Sequence, residues 1–429
     1  MQNLGGLLYN NGMNKTSTFL VFAFTGLGTL FFVIGPILAK SGFLAQETPA
    51  EQGASVFFIE SSKPEIIKQT LAMANTNPNS RRLRILLVPG HDNEFWGTQF
   101  RGLKESVMTL ELGKRLLQLL ISDGEFEVIT SRDEEGYNPN LASYFSSEKS
   151  GILEFAKGKK QIMNDLISDG KLSTKTDGVY HNDAPSHVVV RLYGINKWAN
   201  ENNIDLVVHL HFNDYPRKNK SAAGKYSGFS IYVPERQYSN SRASKAVADE
   251  VFKQLKVYYS ESNMPKESVG VVEDQDLIAI GSFNTLDPAS ILIEYGYVYE
   301  SQFLEKDVRT KVIQDLATQT YIGIRNFLGG SVSNAAGKFN TAFLPHTWLE
   351  PLATGVRNSP SVLSLQAALI LEGLYPPEGR SKRDCPLTGT FGKCTELSLA
   401  SFQQKYGLAD EPGKLGEDTL KKLNELYGE

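Results

Sequence analysis

Cysteine is almost absent: Cys385 and Cys394 are the only two in 429 residues. Two cysteines cannot frame a disulfide-stapled domain or supply a thiolate-rich zinc site. A metal in this chain must be held by histidine and carboxylate. Histidine is scarce too, with six in all: His91, His181, His187, His209, His211 and His346. An excess of basic charge is also lacking. The formal net charge is −4, which argues against a nucleic-acid partner. Compositional bias is missing, since 41% hydrophobic and 21% charged residues are ordinary for a globular chain. The length leaves room for roughly two or three domains.

Long apolar runs are absent but for one. From Thr18 to Ala39 the chain reads TFLVFAFTGLGTLFFVIGPILA, without a charge, between Lys15 and Lys40. A secretory apolar core is usually about 7 to 15 residues, whereas a membrane-spanning helix needs roughly 20. The length favours a transmembrane anchor within residues 1–40 over a signal peptide cut after the run. On either reading the bulk of the chain is extracytoplasmic, anchored to the membrane or secreted to the periplasm or cell wall. The mixed, polar stretch 41–80 reads as a tether, with room for a short helix at 64–73.

Beyond the tether, apolar runs alternate with helical periodicity. Strands are expected at 84–90, 126–131, 205–212, 228–234, 268–273 and 289–297. Helices are expected at 105–121, 187–202, 241–259 and 306–328. In the first helix Val107, Leu110, Gly113, Leu116, Leu117 and Leu120 are placed on one face. Strands alternating with helices predict an α/β domain over 81–330, with a largely parallel sheet flanked by helices. An insert at about 133–185 is not required by that sheet, and its helix candidate is 149–169. A linker, 331–355, leads to a small all-α unit of three helices, 356–429. That unit contains an internal echo, GTFGKCTELSL (389–399) and GKLGEDTLKKL (413–423), each a glycine turn running into a helix. It also holds both cysteines, and a Cys385–Cys394 disulfide and a pair of free thiols both remain open.

The stretch VVHLHFND (207–214) places two histidines on one face of a strand, because side chains at i and i+2 point the same way. In open α/β sheets, ligands bind beyond the carboxyl ends of the strands. His91, in VPGHDNEFWG, ends the first strand and His211 ends the third. Glu105 opens the first long helix, and Glu294 ends the apolar strand ILIEYG. Two imidazoles and one carboxylate suit a tetrahedral zinc with an open position. A second glutamate can then serve as general base. Each residue has a plainer reading. Glu105 could complement a helix dipole, and His91 could be a turn residue. Glu294 in an apolar run is harder to dismiss, since a buried carboxylate needs a partner or a task.

Together these residues resemble the zinc-dependent N-acetylmuramoyl-L-alanine amidases of the type 3 family. The likeness is carried by Pro89-Gly90-His91, Glu105 with Leu110, the SRDEE segment at 131–135, His209-Leu210-His211-Phe212-Asn213, and Ile293-Glu294-Tyr295-Gly296-Tyr297. The resemblance implies one zinc ion (Zn2+) on His91, Glu105 and His211, with Glu294 as the catalytic base. It implies hydrolysis of the amide between N-acetylmuramic acid and L-alanine in peptidoglycan. His209 stands where the family usually has serine, and Asn213 is a candidate substrate contact. Departures fall in the first loop, where Asp92-Asn93 replace Gly-Gly, Phe95 replaces Asp, and Val88 precedes the Pro-Gly-His. Residues 356–429 resemble the three-helix peptidoglycan-binding module through Leu365-Gln366, Leu369, Gly389, Phe391, Gly392, Thr395, Phe402-Gln403, Leu408, Gly413, Leu415 and Gly416. Some relatives use an insert helix to block the site until a partner displaces it, which makes an activator protein acting on 133–185 a candidate partner. Two other functions compete: a zinc peptidase cutting within the stem peptide, and a non-catalytic wall-anchoring protein.

Overall fold

The computed structural model describes residues 58–429, apart from 78, 176–177, 180–183 and 331–335. The apolar run at 18–39 lies outside the described residues. Among those described, no helix is long and apolar enough to cross a membrane.

Six strands form one sheet: β1 (Leu83–Pro89), β4 (Phe126–Thr130), β5 (Leu206–Asn213), β6 (Ser230–Pro234), β7 (Val271–Asp274) and β8 (Ala289–Tyr297). Their order is β4-β1-β5-β8-β6-β7. A separate two-stranded ribbon, β2 (Gln99–Phe100) with β3 (Leu103–Lys104), precedes the first core helix. The large sheet is mixed, which qualifies the largely parallel sheet expected from the alternation. β1 pairs in parallel with β4 and β5, β5 with β8, and β6 with β7, but β6 runs antiparallel to β8. The connections explain it. A parallel neighbour needs a long crossover, usually a helix. Residues 214–229 and 275–288, on either side of the β6–β7 unit, contain no α-helix, so that unit enters the sheet reversed.

One face of the sheet is covered by α2 (Glu105–Asp123), α6 (Ser241–Tyr258) and α7 (Lys306–Leu328). The other carries α5 (Ser186–Glu201) and the insert helices α3 (Pro139–Ser147) and α4 (Lys149–Ser168). The buried stripe of α2 keeps Gly113, Leu116 and Leu120 of the expected face but is rotated away from its Val107 side. Val107 is exposed, and the core side runs through Glu105, Met108, Thr109, Leu112, Leu116 and Leu119. Apart from the adjacent Met108 and Thr109, successive members sit three or four residues apart, as one helix face requires. Glu105 therefore belongs to the core stripe, which is why a carboxylate at the helix start is buried.

Within the tether expected over 41–80, a helix forms where a short one was expected at 64–73. Helix α1 (Pro64–Thr76) buries Ile67 and Leu71 in the main core. The C-terminal helices α8 (Pro360–Leu371), α9 (Lys393–Tyr406) and α10 (Glu417–Tyr427) follow, and Cys385 and Cys394 are joined in a disulfide. Part of the expected linker packs as core, since Phe343, Leu344 and Trp348 join one apolar cluster with Val308 and Leu316 of α7 and Leu363 and Leu365 of α8.

Candidate metal centre and catalytic site

The carboxyl ends of β1, β5 and β8 converge at one edge. His91 follows β1 with φ 62°, an uncommon left-handed conformation for a non-glycine residue. Two glycines make the close approach possible. A Cβ on Gly90 would lie 2.3 Å from the His211 ring. One on Gly97 would lie 2.4 Å from Glu105 Oε2 and 2.5 Å from the His91 ring. Arg132, only 2% exposed, ties the turn down. Its guanidinium donates to the carbonyls of Pro89 (3.0 Å), Gly90 (3.0 Å) and Ser106 (2.7 Å). The first ligand loop and the start of α2 are thus stapled by one buried cation.

Glu105 reaches around the sheet end to both histidines. Its Oε1 lies 3.0 Å from His211 Nδ1 and accepts the Phe212 N–H at 3.1 Å. Its Oε2 lies 3.0 Å from His91 Nε2 and accepts the Thr98 N–H at 3.0 Å. Ligand-capable atoms of His91, Glu105 and His211 all fall within 4.8 Å of one another. Burial alone would push the Glu105 carboxyl up, but the His91 charge and hydrogen bonds from both imidazoles hold it well below the usual range. Burial pushes the His211 imidazole down, toward its neutral form. For His91, burial pulls down while the Glu105 charge outweighs it and raises the group. An ionised carboxylate between two imidazoles, one of them biased to the neutral form, is a donor set a divalent cation accepts. The residues present fit a metal.

Glu294 pairs in register with His211 on the adjacent strand. Its Oε2 is sealed from solvent and has no hydrogen-bond partner. Burial, with the Glu105 and Glu267 charges adding to it, drives its carboxyl well above the ordinary value. A carboxyl kept short of partners at a strand end is poised to exchange a proton.

The structure brings His91, Glu105 and His211 together, with Glu294 beside them in register, and leaves two sequence candidates in other roles. His209 sits one pleat deeper, outside the cluster, 1% exposed and without a well-formed hydrogen bond on either ring nitrogen. Burial holds it down to about 3, so it stays neutral. Asn213 spends its amide on Glu267 Oε1 at 2.8 Å, so its side chain braces the site wall. Glu267 is saturated, accepting also from Tyr232, Ser262 and Tyr297 hydroxyls. His187 is exposed on α5, His346 stacks edge-on against Trp348, and His181 lies outside the described residues. Sequence reading passed over the brace formed by Asp214. Its Oδ2 accepts from Thr98 Oγ1 at 2.7 Å, and both its oxygens accept from Arg217. Only its place at the end of the histidine strand hinted at it.

The chain matches the N-acetylmuramoyl-L-alanine amidase family over residues 85–326, more than half its length. It matches the peptidoglycan binding domain family over residues 358–423. No curated protein matches it. Among solved structures, the CwlD amidase from Clostridioides difficile, in complex with the GerS lipoprotein, is 16% identical over 58% of this chain and 99% of its own, with a TM-score of 0.36. The catalytic domain of the CwlV amidase from Bacillus (Paenibacillus) polymyxa is 14% identical over 58% and 99%, at 0.36. The Ami1 amidase from Mycobacterium smegmatis is 16% identical over 58% and 97%, at 0.37.

Proposed function

Given that the chain belongs to the N-acetylmuramoyl-L-alanine amidase family and is a peptidoglycan amidase, we propose that it works with one zinc ion on His91, Glu105 and His211 and with Glu294 as general base. The observation that carries this reading is the convergence of two imidazoles on one buried carboxylate, beside a second carboxyl whose Oε2 has no partner. When bound, zinc supplies Lewis acidity to the scissile carbonyl and to the attacking water. Glu105 carries the negative charge of the ligand set and aims both imidazoles, one from each oxygen. Glu294 takes a proton from the water and returns it to the alanine nitrogen as the C–N bond breaks. The products are a carboxylate on the lactyl group of N-acetylmuramic acid and a free amine on L-alanine. A nearby dication would offset the burial that keeps Glu294 protonated without metal.

We assign residues 81–330 to catalysis and 356–429 to holding peptidoglycan, with 331–355 between them. A wall-binding unit in the same chain raises the local concentration of an insoluble substrate. A peptidoglycan amidase acts outside the cytoplasm, and the apolar run at 18–39 is the proposed membrane anchor. The insert is the proposed contact for an activator. In support, α4 packs on α5, and Arg191 of α5 grips Asp92 at 2.6 Å and Glu94 at 2.7 Å in the metal-site loop.

Metal analysis of the purified chain, with mass spectrometry of fragments released from peptidoglycan, tests the reading. Expected are one zinc per chain and peptides beginning at L-alanine, with intact glycan strands. Cuts inside the stem peptide would sink the amidase assignment in favour of a peptidase.

A further inference from the structure

Three tryptophans occur in the chain. Trp198 and Trp348 are 8% and 2% exposed, as packing residues should be, whereas Trp96 is 40% exposed. Trp96 lies in the loop between two proposed metal ligands. Its carbonyl accepts the N–H of Ser106, the residue after Glu105, at 3.1 Å. Its chain neighbour Gly97 is the glycine packed against both Glu105 and His91. Trp96 therefore belongs to the loop that walls the proposed metal centre, and its side chain is partly open to solvent.

The loop that carries it is fixed. Asp92 Oδ1 accepts the N–H groups of Glu94 and Phe95 at 2.9 and 2.7 Å. Asp92 Oδ2 accepts from Arg191 and from the Tyr137 hydroxyl. Lys104, the residue before Glu105, holds its ammonium 3.9 Å from the centroid of the indole. A cation over one aromatic face restrains the ring without burying it. The part of this ring left in water on a rigid loop gains nothing for the fold. It is pre-organised for a ligand, because little side-chain freedom remains to be lost on binding.

We propose that Trp96, steadied by Lys104, is a sugar subsite that stacks the pyranose ring of the glycan next to the scissile amide. The proposal rests on the reading of His91, Glu105 and His211 as the hydrolytic centre. A pyranose presents a face of C–H bonds with partial positive charge, and an aromatic ring presents a negative face. The scissile amide hangs from the lactyl group on the sugar, so a ring placed beside the metal centre must lie at its rim.

The test compares two soluble substrates with the same scissile amide: N-acetylmuramoyl-tripeptide and lactoyl-tripeptide, which lacks the sugar ring. Zinc-loaded full-length protein is assayed as wild type, Trp96→Ala and Trp96→Phe. In Trp96→Ala, the muramoyl-to-lactoyl ratio of kcat/KM should fall about five- to tenfold, through KM. Trp96→Phe should recover most of it, and zinc content should not change. Tryptophan fluorescence gives a second reading without turnover. N-acetylmuramic acid should change the wild-type emission saturably and leave Trp96→Phe flat. An unchanged ratio, or equal losses on both substrates, would overturn the subsite while leaving the amidase reading intact. Wild-type protein that cleaves neither substrate would sink the hydrolytic reading. The fluorescence titration then decides the subsite, a saturable change supporting sugar binding and a flat trace overturning it.

Discussion

Two regions of this molecule bury carboxyl groups and treat them in opposite ways. At the seam between α7 and the C-terminal helices, Asp315 is fully buried and saturated. It accepts from Thr341 Oγ1, the Ala342 N–H at 3.0 Å, Tyr259 at 2.9 Å and Gln319 at 3.1 Å. At the carboxyl ends of β1, β5 and β8, Glu294 keeps one oxygen buried with no partner. A satisfied buried acid fixes one conformation. An unsatisfied one costs stability and persists where chemistry uses it. The seam is built to hold, and the strand ends fit the proposed chemistry.

The largest expected effect separates the two histidines of the opening strand. His211→Ala should lose the metal and drop hydrolysis to background, whereas His209→Ala should keep the metal and lose only stability. Atomic absorption on the two variants decides it. Metal loss in His209→Ala with retention in His211→Ala would reverse the assignment. Next in size is Glu294→Gln, which should retain fold and zinc and lose about 10²- to 10⁴-fold in kcat. Near-normal turnover would remove Glu294 from catalysis.

The seam should respond in stability alone. Asp315→Ala strands four donors, two of them buried and two half-buried, and each buried unsatisfied group costs about 1–3 kcal/mol. Chemical denaturation should show a loss of about 3 kcal/mol or more, with kcat per folded molecule unchanged. A matching fall in kcat would mean the seam reaches the site. Deleting residues 345–429 should cost more stability still, beyond the loss of wall binding, because Trp348, Leu363 and Leu365 share one core with Val308 and Leu316. A truncated chain that melts like wild type would break the comparison.

The smallest effect is a pH dependence in metal-free protein. The folded-state Glu294 carboxyl is raised above its unfolded value by burial, so the folded chain keeps a proton that the unfolded chain releases. Its contribution is complete below the unfolded value and fades as pH climbs toward the folded one. Glu294→Gln lacks that loss. It should melt with wild type near about pH 4 and a few degrees above it near about pH 7, in chelator. An equal gap at both values would mean that Glu294 is not driven up by its surroundings.

Much of the sheet and its helices was legible because hydrophobic period is local. Apolar runs at 84–90 and 289–297 and the long periodic segment at 306–328 correspond to β1, β8 and α7. The reversal of β6 against β8 was less legible, because strand direction depends on whether a connection crosses over the sheet. The facing of α2 was misjudged through Val107, since a helix with apolar residues on several sides does not reveal which side meets the sheet. A short helix was expected where α1 forms, but its packing on the core, like that of the stretch around Trp348, was not, because both lay in segments polar enough to read as tether and linker. Their few apolar residues count only when a partner surface is known.

For the site, sequence by itself determined the chemical types and their order: a scarcity of cysteine, histidines ending two strands, a glutamate opening a helix and another ending an apolar strand. Side-chain alternation also put His209 and His211 on one face. The family resemblance pointed to His211 rather than His209; what only the tertiary structure decided was how His211 meets Glu105, and what holds the meeting place. Both answers depend on reach across elements distant in the chain. Glu105 spans to β5 because α2 starts at the sheet's edge, and Arg132 clamps the turn because β4 lies beside β1. Local pattern carries no information about such contacts, since the distances that set them close only when the chain is folded.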